Sequence, residues 1–160
     1  MIRKVSLLIA TAFVINTGMA ANIDVPSKCK EKYALPEGCW KTIDDNTGEE
    51  KSIILIKKNS MGEFTGKVIK VIKTDDGSNP ETKRCDKCEG DKKDQLINGM
   101  TVMWGVKQDG DEWTGGQILD PKTGSVYSVK FTLSEDNTKL NVRGYIGFSM
   151  LGRSQTWLKV

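Results

Sequence analysis

The sequence predicts an all-β protein, an eight-stranded up-and-down antiparallel barrel with one long disulfide-braced loop. Three observations support this fold class. From about residue 40 to the end of the chain, short β-prone runs are separated by turn sequences rich in Asp, Asn and Gly. Apolar and polar residues alternate within these runs, which is typical of strands with one buried face. No long amphipathic helical pattern interrupts them. Evenly spaced short strands joined by hairpins close most readily into a barrel or a sandwich.

Eight strands are expected along the chain, at about 40–43, 51–58, 64–73, 100–106, 112–119, 125–133, 139–146 and 148–159. Turns are predicted between them at 44–48, 59–62, 108–111, 120–124 and 135–137. A closed barrel of eight strands either fills its interior with side chains or holds one small ligand. The strand count leaves both outcomes open.

Two strands have clear apolar faces. The apolar face of strand 125–133 consists of Tyr127, Val129, Phe131 and Leu133. The apolar face of strand 100–106 consists of Met100, Val102, Trp104 and Val106. The strand 51–58 instead carries an unbroken apolar run at 53–56, which predicts that both of its faces are covered.

The two ends of the first forty residues differ in character. Residues 1–20 are predicted to be a secretory signal peptide, with Arg3 and Lys4 before an apolar stretch and cleavage after Ala20. The apolar stretch is shorter than the roughly 20 residues needed to span a bilayer. Residues 21–37 form a polar lead-in segment, and residues 38–160 form the barrel domain. The expected location is therefore periplasmic or secreted.

Charge and composition exclude several functions. Removing Arg3 and Lys4 with the signal lowers the formal net charge from +3 to +1, and the remaining charges are interspersed. Without a basic stripe, nucleic acid is not an expected partner. The chain has no His, so it cannot build a Ser-His-Asp triad. Its paired carboxylates all lie in turns, where Asp is favoured for backbone hydrogen bonding. We therefore expect no hydrolytic activity, no cofactor and no metal.

Four cysteines in an exported chain favour disulfides. Of the three pairings that four cysteines allow, we favour Cys29–Cys39 and Cys85–Cys88, because each pair is close in sequence and the pairs are far apart. The first bond would tie the lead-in segment to the first strand.

The Cys85-x-x-Cys88 motif has three interpretations: a static loop staple, a dithiol redox site or part of a zinc site. Redox motifs normally open a helix after a strand, whereas the flanks here have loop composition. A zinc site needs four ligands, and the chain has no His to complete one. The staple is favoured. It would brace the long insertion 74–94, a length that is usually functional or mobile in a compact domain.

The barrel begins with Gly38-Cys39-Trp40, and a Gly-x-Trp at the start of strand one resembles the signature of lipocalins and related calycins. The resemblance implies that Trp40 closes the barrel floor and that a basic residue of the last strand packs across it. Arg153 is the candidate partner and Arg143 the second choice. A cation over an indole face contributes about 0.5–2 kcal/mol, depending on burial.

A closer resemblance covers nearly all of the chain after the signal. Its most specific segments are Gly115-Gly116-Gln117-Ile118-Leu119-Asp120-Pro121 and Gly152-Arg153-Ser154-Gln155-Thr156-Trp157. In this order, and with Gly38-Cys39-Trp40 and Cys85-x-x-Cys88, they resemble the secreted bacterial family catalogued as domain of unknown function 2147. The resemblance implies a lipocalin-like barrel. It transfers no catalytic residues, and Cys39 replaces an aliphatic residue that is usual in the family.

These observations favour a binding protein for a small, largely apolar ligand. The candidate lining residues are Trp104, Trp113, Tyr127, Phe131 and Arg143. Two alternatives are a thiol-redox protein that uses Cys85 and Cys88, and an interaction module that docks an envelope protein through the 74–94 loop or the barrel rim.

Overall fold

A computed structural model of the protein describes residues 25–160. The predicted signal peptide, including Arg3, Lys4 and the cleavage point after Ala20, lies outside the described residues.

Eight antiparallel strands form the described part of the chain. They are β1 (Gly38–Ile43), β2 (Glu50–Lys58), β3 (Phe64–Val71), β4 (Thr101–Asp109), β5 (Glu112–Asp120), β6 (Ser125–Leu133), β7 (Lys139–Tyr145) and β8 (Gly152–Lys159). There are also two short 3₁₀ helices within these residues: Ser27–Lys30 precedes β1, and Gly90–Lys92 lies between β3 and β4. Each strand pairs with the next in sequence, and β8 pairs with β1, so the sheet is a closed barrel. The predicted fold class is confirmed.

The last predicted strand begins later than expected. We predicted 148–159, but β8 begins at Gly152, and residues 146–151 form a closed loop instead. Within this loop the Leu151 N–H donates to the Phe148 carbonyl at 2.9 Å, and Gly147 has a φ of +69°. A positive φ is readily adopted by glycine and ends the extended run. β4 also continues beyond its predicted end, because its pairing with β5 extends to Asp109 opposite Glu112.

A bulge in β3 lets the strand change phase. Ile54 pairs with Val68 whereas its neighbour Ile53 pairs with Lys70, so Ile69 is an extra residue on β3. One inserted residue exchanges the two faces of the strand beyond it. Val71 is consequently buried with the interior residues, and Ile69 packs against a separate cluster on the outside.

The barrel has a core inside and a smaller apolar cluster outside. The outer cluster consists of Cys39, Ile53 and Leu55, with Cys29 and Tyr33 of the lead-in segment packed against it. The predicted disulfide between Cys29 and Cys39 is present and holds this cover in place. The unbroken apolar run 53–56 is explained, because all four of its residues are buried, on alternating sides of the sheet.

Candidate ligand-binding cavity

The barrel has a closed end and an open end, and the strand connections determine which is which. The lead-in segment and the short turns 59–63, 110–111 and 134–138 lie at the closed end. The open end carries the other connections, namely 44–49, 72–100, 121–124 and 146–151. Because antiparallel neighbours alternate in direction, every second connection meets at the same end of the barrel. The longest connection therefore lies over the mouth.

Aromatic packing seals the closed end. Trp113 stacks on Phe131 with ring centroids 5.5 Å apart, and its other neighbour, Phe64, meets it edge-on at 6.4 Å. Trp40 is fully buried, and its indole N–H donates to the Pro36 carbonyl at 2.9 Å. The indole N–H of Trp113 finds no acceptor among residues 25–160. This end of the barrel is packed and leaves little room for a ligand.

The open end contains a cavity of about 790 Å³. Apolar side chains from strands all around the barrel line its deeper part, and they include Ile54, Val68, Val102, Ile118, Val142 and Trp157. Pockets that bind small molecules typically measure roughly 300–1,000 Å³ and are mostly apolar with a few polar groups. The barrel interior is therefore hollow in its upper part and filled below.

One wall of the cavity is polar. Thr42 and Ser52 face each other across β1 and β2, with their hydroxyl oxygens 2.8 Å apart. Gln155 on β8 lines the same space, and its Oε1 accepts a hydrogen bond from Trp157 Nε1 at 3.2 Å. A hydroxyl or an amide on an otherwise apolar wall can orient a ligand that carries a polar group.

Ion pairs surround the mouth. Asp75 bridges two lysines, with Oδ1 3.0 Å from Lys51 Nζ and Oδ2 3.3 Å from Lys122 Nζ. The hydrogen bond from Lys51, followed by that from Lys122, lowers the pKa of Asp75 below its usual value of 3.8. Lys51 also pairs with Glu49 at 3.3 Å. These bridges tie the 72–100 connection to β2 and to the β5–β6 turn.

The Cys85–Cys88 disulfide braces the long connection at the mouth, as predicted. Both cysteines are buried, with 0% and 2% of their surface exposed. The segment between them packs directly onto the β5–β6 turn at Gly124, where an added Cβ would lie 1.9 Å from the Lys87 carbonyl oxygen. Gly124 also has a φ of +76°. Both the close contact and the positive φ exclude a side chain at this position, so the packing of the long connection on the turn depends on Gly124.

Only one of the five predicted ligand-binding residues lines the cavity. Tyr127 does so, next to Gly144 and Ile118. Trp113 and Phe131 belong to the packed closed end. Trp104 does not line the cavity: its indole N–H donates to Gln117 Oε1 at 3.2 Å, and Lys92 Nζ lies 5.5 Å from its ring centroid.

The predicted alternation of β4 fails between Thr101 and Met103, where Val102 is an extra residue, and again at Gly105. Its φ of +71° and two register shifts between β3 and β4 break the strict period of two. As a result Met103 and Val106 are fully buried, whereas Trp104 is partly exposed. The four-residue face proposed from the sequence is therefore not formed as a unit.

The predictions for the two arginines were wrong in position. Arg143 lies on β7 between Val142 and Gly144, which both line the cavity. Its own side chain points the other way, and its guanidinium donates to Ser154 Oγ at 2.9 Å and to the Ser149 and Met150 carbonyls. Arg153 lies at the mouth, where its Nε is 2.6 Å from Asp45 Oδ2. Trp40 pairs with Lys159, six residues further along β8, so roughly 20 Å of strand separates Arg153 from Trp40. The barrel-closing pair does not form.

Sequence reasoning missed the polar wall and the charged mouth. Thr42, Ser52 and Gln155 are unremarkable strand residues, and only the pairing register shows that they meet. The mouth residues could have been found from topology, because Asp75 and Lys122 lie in connections that must share the end of the barrel.

Within residues 25–160 there is neither a cluster of metal-binding side chains nor a membrane-spanning helix. No three His, Cys, Asp or Glu side chains come together there in a way that could hold a metal ion. No helix in this range has the length and apolar character needed to cross a membrane. The two disulfides are consistent with an extracytoplasmic protein.

Comparison with known proteins supports the fold. Protein HP1028 from the human pathogen Helicobacter pylori, described as belonging to the lipocalin family, matches with a TM-score of 0.65 and 16% sequence identity. The match covers 78% of this chain and 82% of that chain. At this identity the likeness concerns the fold alone. A comparison with curated proteins found no match.

The family comparison covers most of the chain. The sequence profile of the proteins described as "Uncharacterized protein conserved in bacteria (DUF2147)" matches residues 38–159, from the first residue of β1 to the last residue of β8. The chain therefore belongs to this bacterial family.

Proposed function

We propose that the protein binds one small, largely apolar molecule in the cavity at the open end of the barrel, in the periplasm or after secretion. The observation that carries the proposal is the cavity itself, about 790 Å³ of space with apolar walls. Water inside apolar walls is readily displaced by an apolar ligand, and burial contributes roughly 25 cal/mol for each Å² of apolar surface.

The two kinds of cavity wall suggest the shape of the ligand. Ile118, Val102 and Val68 offer apolar contact, while Thr42, Ser52 and Gln155 offer hydroxyl and amide groups on the other side. A molecule with an apolar body and one polar edge would satisfy both. The charged mouth then lies beyond the ligand, at the boundary with solvent.

Gly144 provides a direct test. An added Cβ there would make ordinary contacts of 3.6 Å with Tyr127 Cβ and 3.8 Å with Ile118 Cγ2 at the edge of the cavity. We expect Gly144→Leu to fold and to fill part of the cavity. Its affinity for a fluorescent fatty-acid probe should fall by about tenfold or more, because one buried leucine displaces a comparable volume of ligand.

A control on the same strand separates occupancy from damage. Asn141 is exposed on the outer face of β7, so Asn141→Leu adds the same side chain outside the barrel. This variant should bind the probe like the wild type. If the wild type shows no saturable binding to the probe or to a panel of lipids, or if Gly144→Leu binds unchanged, the proposal is wrong.

Thiol–disulfide exchange at Cys85 and Cys88 is a weaker proposal. Exchange requires a thiolate to reach a sulfur atom, and both cysteines are buried within the long connection. A redox titration would distinguish a redox-active disulfide from a structural one. A low reduction potential and slow reaction with external thiols would show that the Cys85–Cys88 bond only braces the loop.

A further inference from the structure

One connection at the mouth exposes an unusual amount of apolar surface. In the loop between β7 and β8, four side chains form what we call the apolar tip: Ile146, Phe148, Met150 and Leu151, with 67%, 80%, 88% and 71% of their surface exposed. Elsewhere in residues 25–160, large exposed apolar side chains occur singly. Scattered residues of that kind are normal, but a contiguous group marks an interaction site.

The apolar tip is continuous with the proposed ligand cavity. Ile146 and Leu151 line the cavity as well as facing solvent, whereas Phe148 and Met150 do not line it and are the most exposed. An apolar surface pressed against the tip would therefore meet the mouth of the cavity directly.

The backbone of the tip is hydrogen-bonded within the protein. The Ile146 N–H donates to the Leu151 carbonyl at 3.2 Å, and the Leu151 N–H donates to the Phe148 carbonyl. Arg143 donates from Nε to the Ser149 carbonyl at 2.5 Å and from Nη2 to the Met150 carbonyl at 3.1 Å. A loop that enters an apolar medium must satisfy its polar backbone groups internally. This loop satisfies several of them without water.

Arg143 also supplies a positive charge at the base of the tip. Within residues 25–160 it forms hydrogen bonds but no ion pair, so no carboxylate neutralises it. Lys130 lies opposite Arg143 on the adjacent strand β6, and it forms an ion pair with Glu112 at 3.0 Å. A cation just behind a group of protruding apolar side chains complements a lipid surface, where phosphate groups lie above the acyl chains.

From these contacts we propose that the apolar tip inserts into the surface of a phospholipid bilayer and brings the mouth of the barrel against it. Phe148 and Met150 enter the boundary between headgroups and acyl chains, and Arg143 meets the lipid phosphates. The proposal depends on the tip and is independent of whether the cavity holds a ligand.

Vesicle flotation with the full barrel domain tests the proposal. Vesicles of phosphatidylcholine and phosphatidylglycerol in equal parts should carry the wild type to the top of the gradient. The double variant Phe148→Ser and Met150→Ser should bind about tenfold more weakly or worse, because two exposed apolar side chains are lost. Vesicles of phosphatidylcholine alone should bind the wild type about fivefold more weakly, as expected for one cation near an anionic surface.

Met61 offers a matched control. It is 75% exposed, but it lies in the β2–β3 turn at the closed end. Met61→Ser should float like the wild type, and all variants should keep the wild-type melting temperature, since the altered side chains are exposed.

A second measurement reports the depth of the tip. With brominated lipids, Phe148→Trp should show added tryptophan quenching relative to the wild type, whereas Met61→Trp should show none. The proposal is wrong if the wild type does not bind vesicles or if the double variant floats equally well. It is also wrong if the tip instead joins two copies of the chain in solution without binding lipid. Loss of vesicle binding with unchanged probe binding in the double variant would separate this proposal from the ligand-binding one.

Discussion

The closed and open ends of the barrel are made from the same strands but are stabilised differently. At the closed end, between short turns, Trp113 stacks on Phe131 and meets Phe64 edge-on, and Trp40 is fully buried. At the open end the longest connections occur, ion pairs link Asp75 to Lys51 and Lys122, and the interior is hollow. The closed end therefore carries most of the packing energy, which frees the open end to keep a cavity. If this division between a packed end and a hollow end is correct, substitutions at the two ends should differ in their effect on stability.

The largest effect should come from the aromatic stack. Phe131→Ala removes a side chain that is 1% exposed and should lower the free energy of unfolding by about 3–5 kcal/mol. Tyr127→Ala, four residues away on the same strand, should cost about 1 kcal/mol because its ring borders the cavity. Guanidinium denaturation of both variants measures the difference. Equal losses at the two positions would contradict the division.

The second-largest effect on stability should come from releasing the lead-in segment. Replacing Cys29 and Cys39 together with Ser opens a loop with a sequence separation of 10 and should cost about 2–3 kcal/mol. The cover over Leu55 and Ile53 should also loosen, which hydrogen exchange at β2 would detect. The corresponding pair Cys85 and Cys88 closes a separation of 3 and should cost less on chain entropy alone. A larger loss for the second pair would mean that the mouth contributes more to stability than the lead-in.

Disrupting the contact between the long connection and the β5–β6 turn should have a smaller and more local effect on stability. Gly124→Ala places a Cβ against the Lys87 carbonyl at a positive φ and should cost about 1–3 kcal/mol. Because the loop must move away, external dithiols should reduce Cys85–Cys88 faster than in the wild type. Gly48→Ala is a suitable control, since Gly48 also has a positive φ but has no atom within 4 Å of the added Cβ. Unchanged reduction kinetics in Gly124→Ala would contradict the proposed contact.

The smallest effect should come from the ion pairs of the mouth. The depressed pKa of Asp75 means that its pairs with Lys51 and Lys122 stabilise the fold above about pH 3.8. This contribution is lost as the pH falls through the lowered pKa, so it should be constant between neutral and mildly acidic pH. Exposed pairs of this kind contribute at most about 1 kcal/mol. The melting temperature of the Asp75→Asn variant should therefore fall less on acidification than that of the wild type. Added salt should reduce the fall in the wild type in the same way, because it screens the ion pairs. Identical acid profiles for the two proteins would exclude this role.

Sequence reasoning predicted the architecture well because the architecture depends on local patterns. The turn between β4 and β5 and the alternation of Tyr127, Val129 and Phe131 are readable over a few residues, and both occur, although the turn is shortened to residues 110–111. The bulge in β3 also had a local signal, the change of phase at Val68 and Ile69.

The candidate site was predicted poorly because it depends on register and depth. Tyr127 and Phe131 share one strand face, yet one borders the cavity and the other is packed below it. Alternation determines the face of a residue but not its height in the barrel. Trp104 was assigned to the wrong side because Val102 is an extra residue between Thr101 and Met103, which pair with the adjacent residues Lys67 and Gly66, so β4 changes phase just before Trp104. This bulge depends on the pairing with β3, which the sequence of β4 alone does not reveal. The disulfides were predicted correctly, since proximity in sequence was sufficient there.

The closure of the barrel has a practical consequence. β1 and β8 meet through the pairs of Trp40 with Lys159 and of Lys41 with Leu158, and the Val160 N–H donates to the Cys39 carbonyl at 3.1 Å. The end of β8 and Val160 are thus anchored beside the start of the first strand, on the side of the molecule away from the cavity. A fluorophore, an affinity handle or an immobilising linker fused after Val160 would leave access to the cavity and to lipid unobstructed.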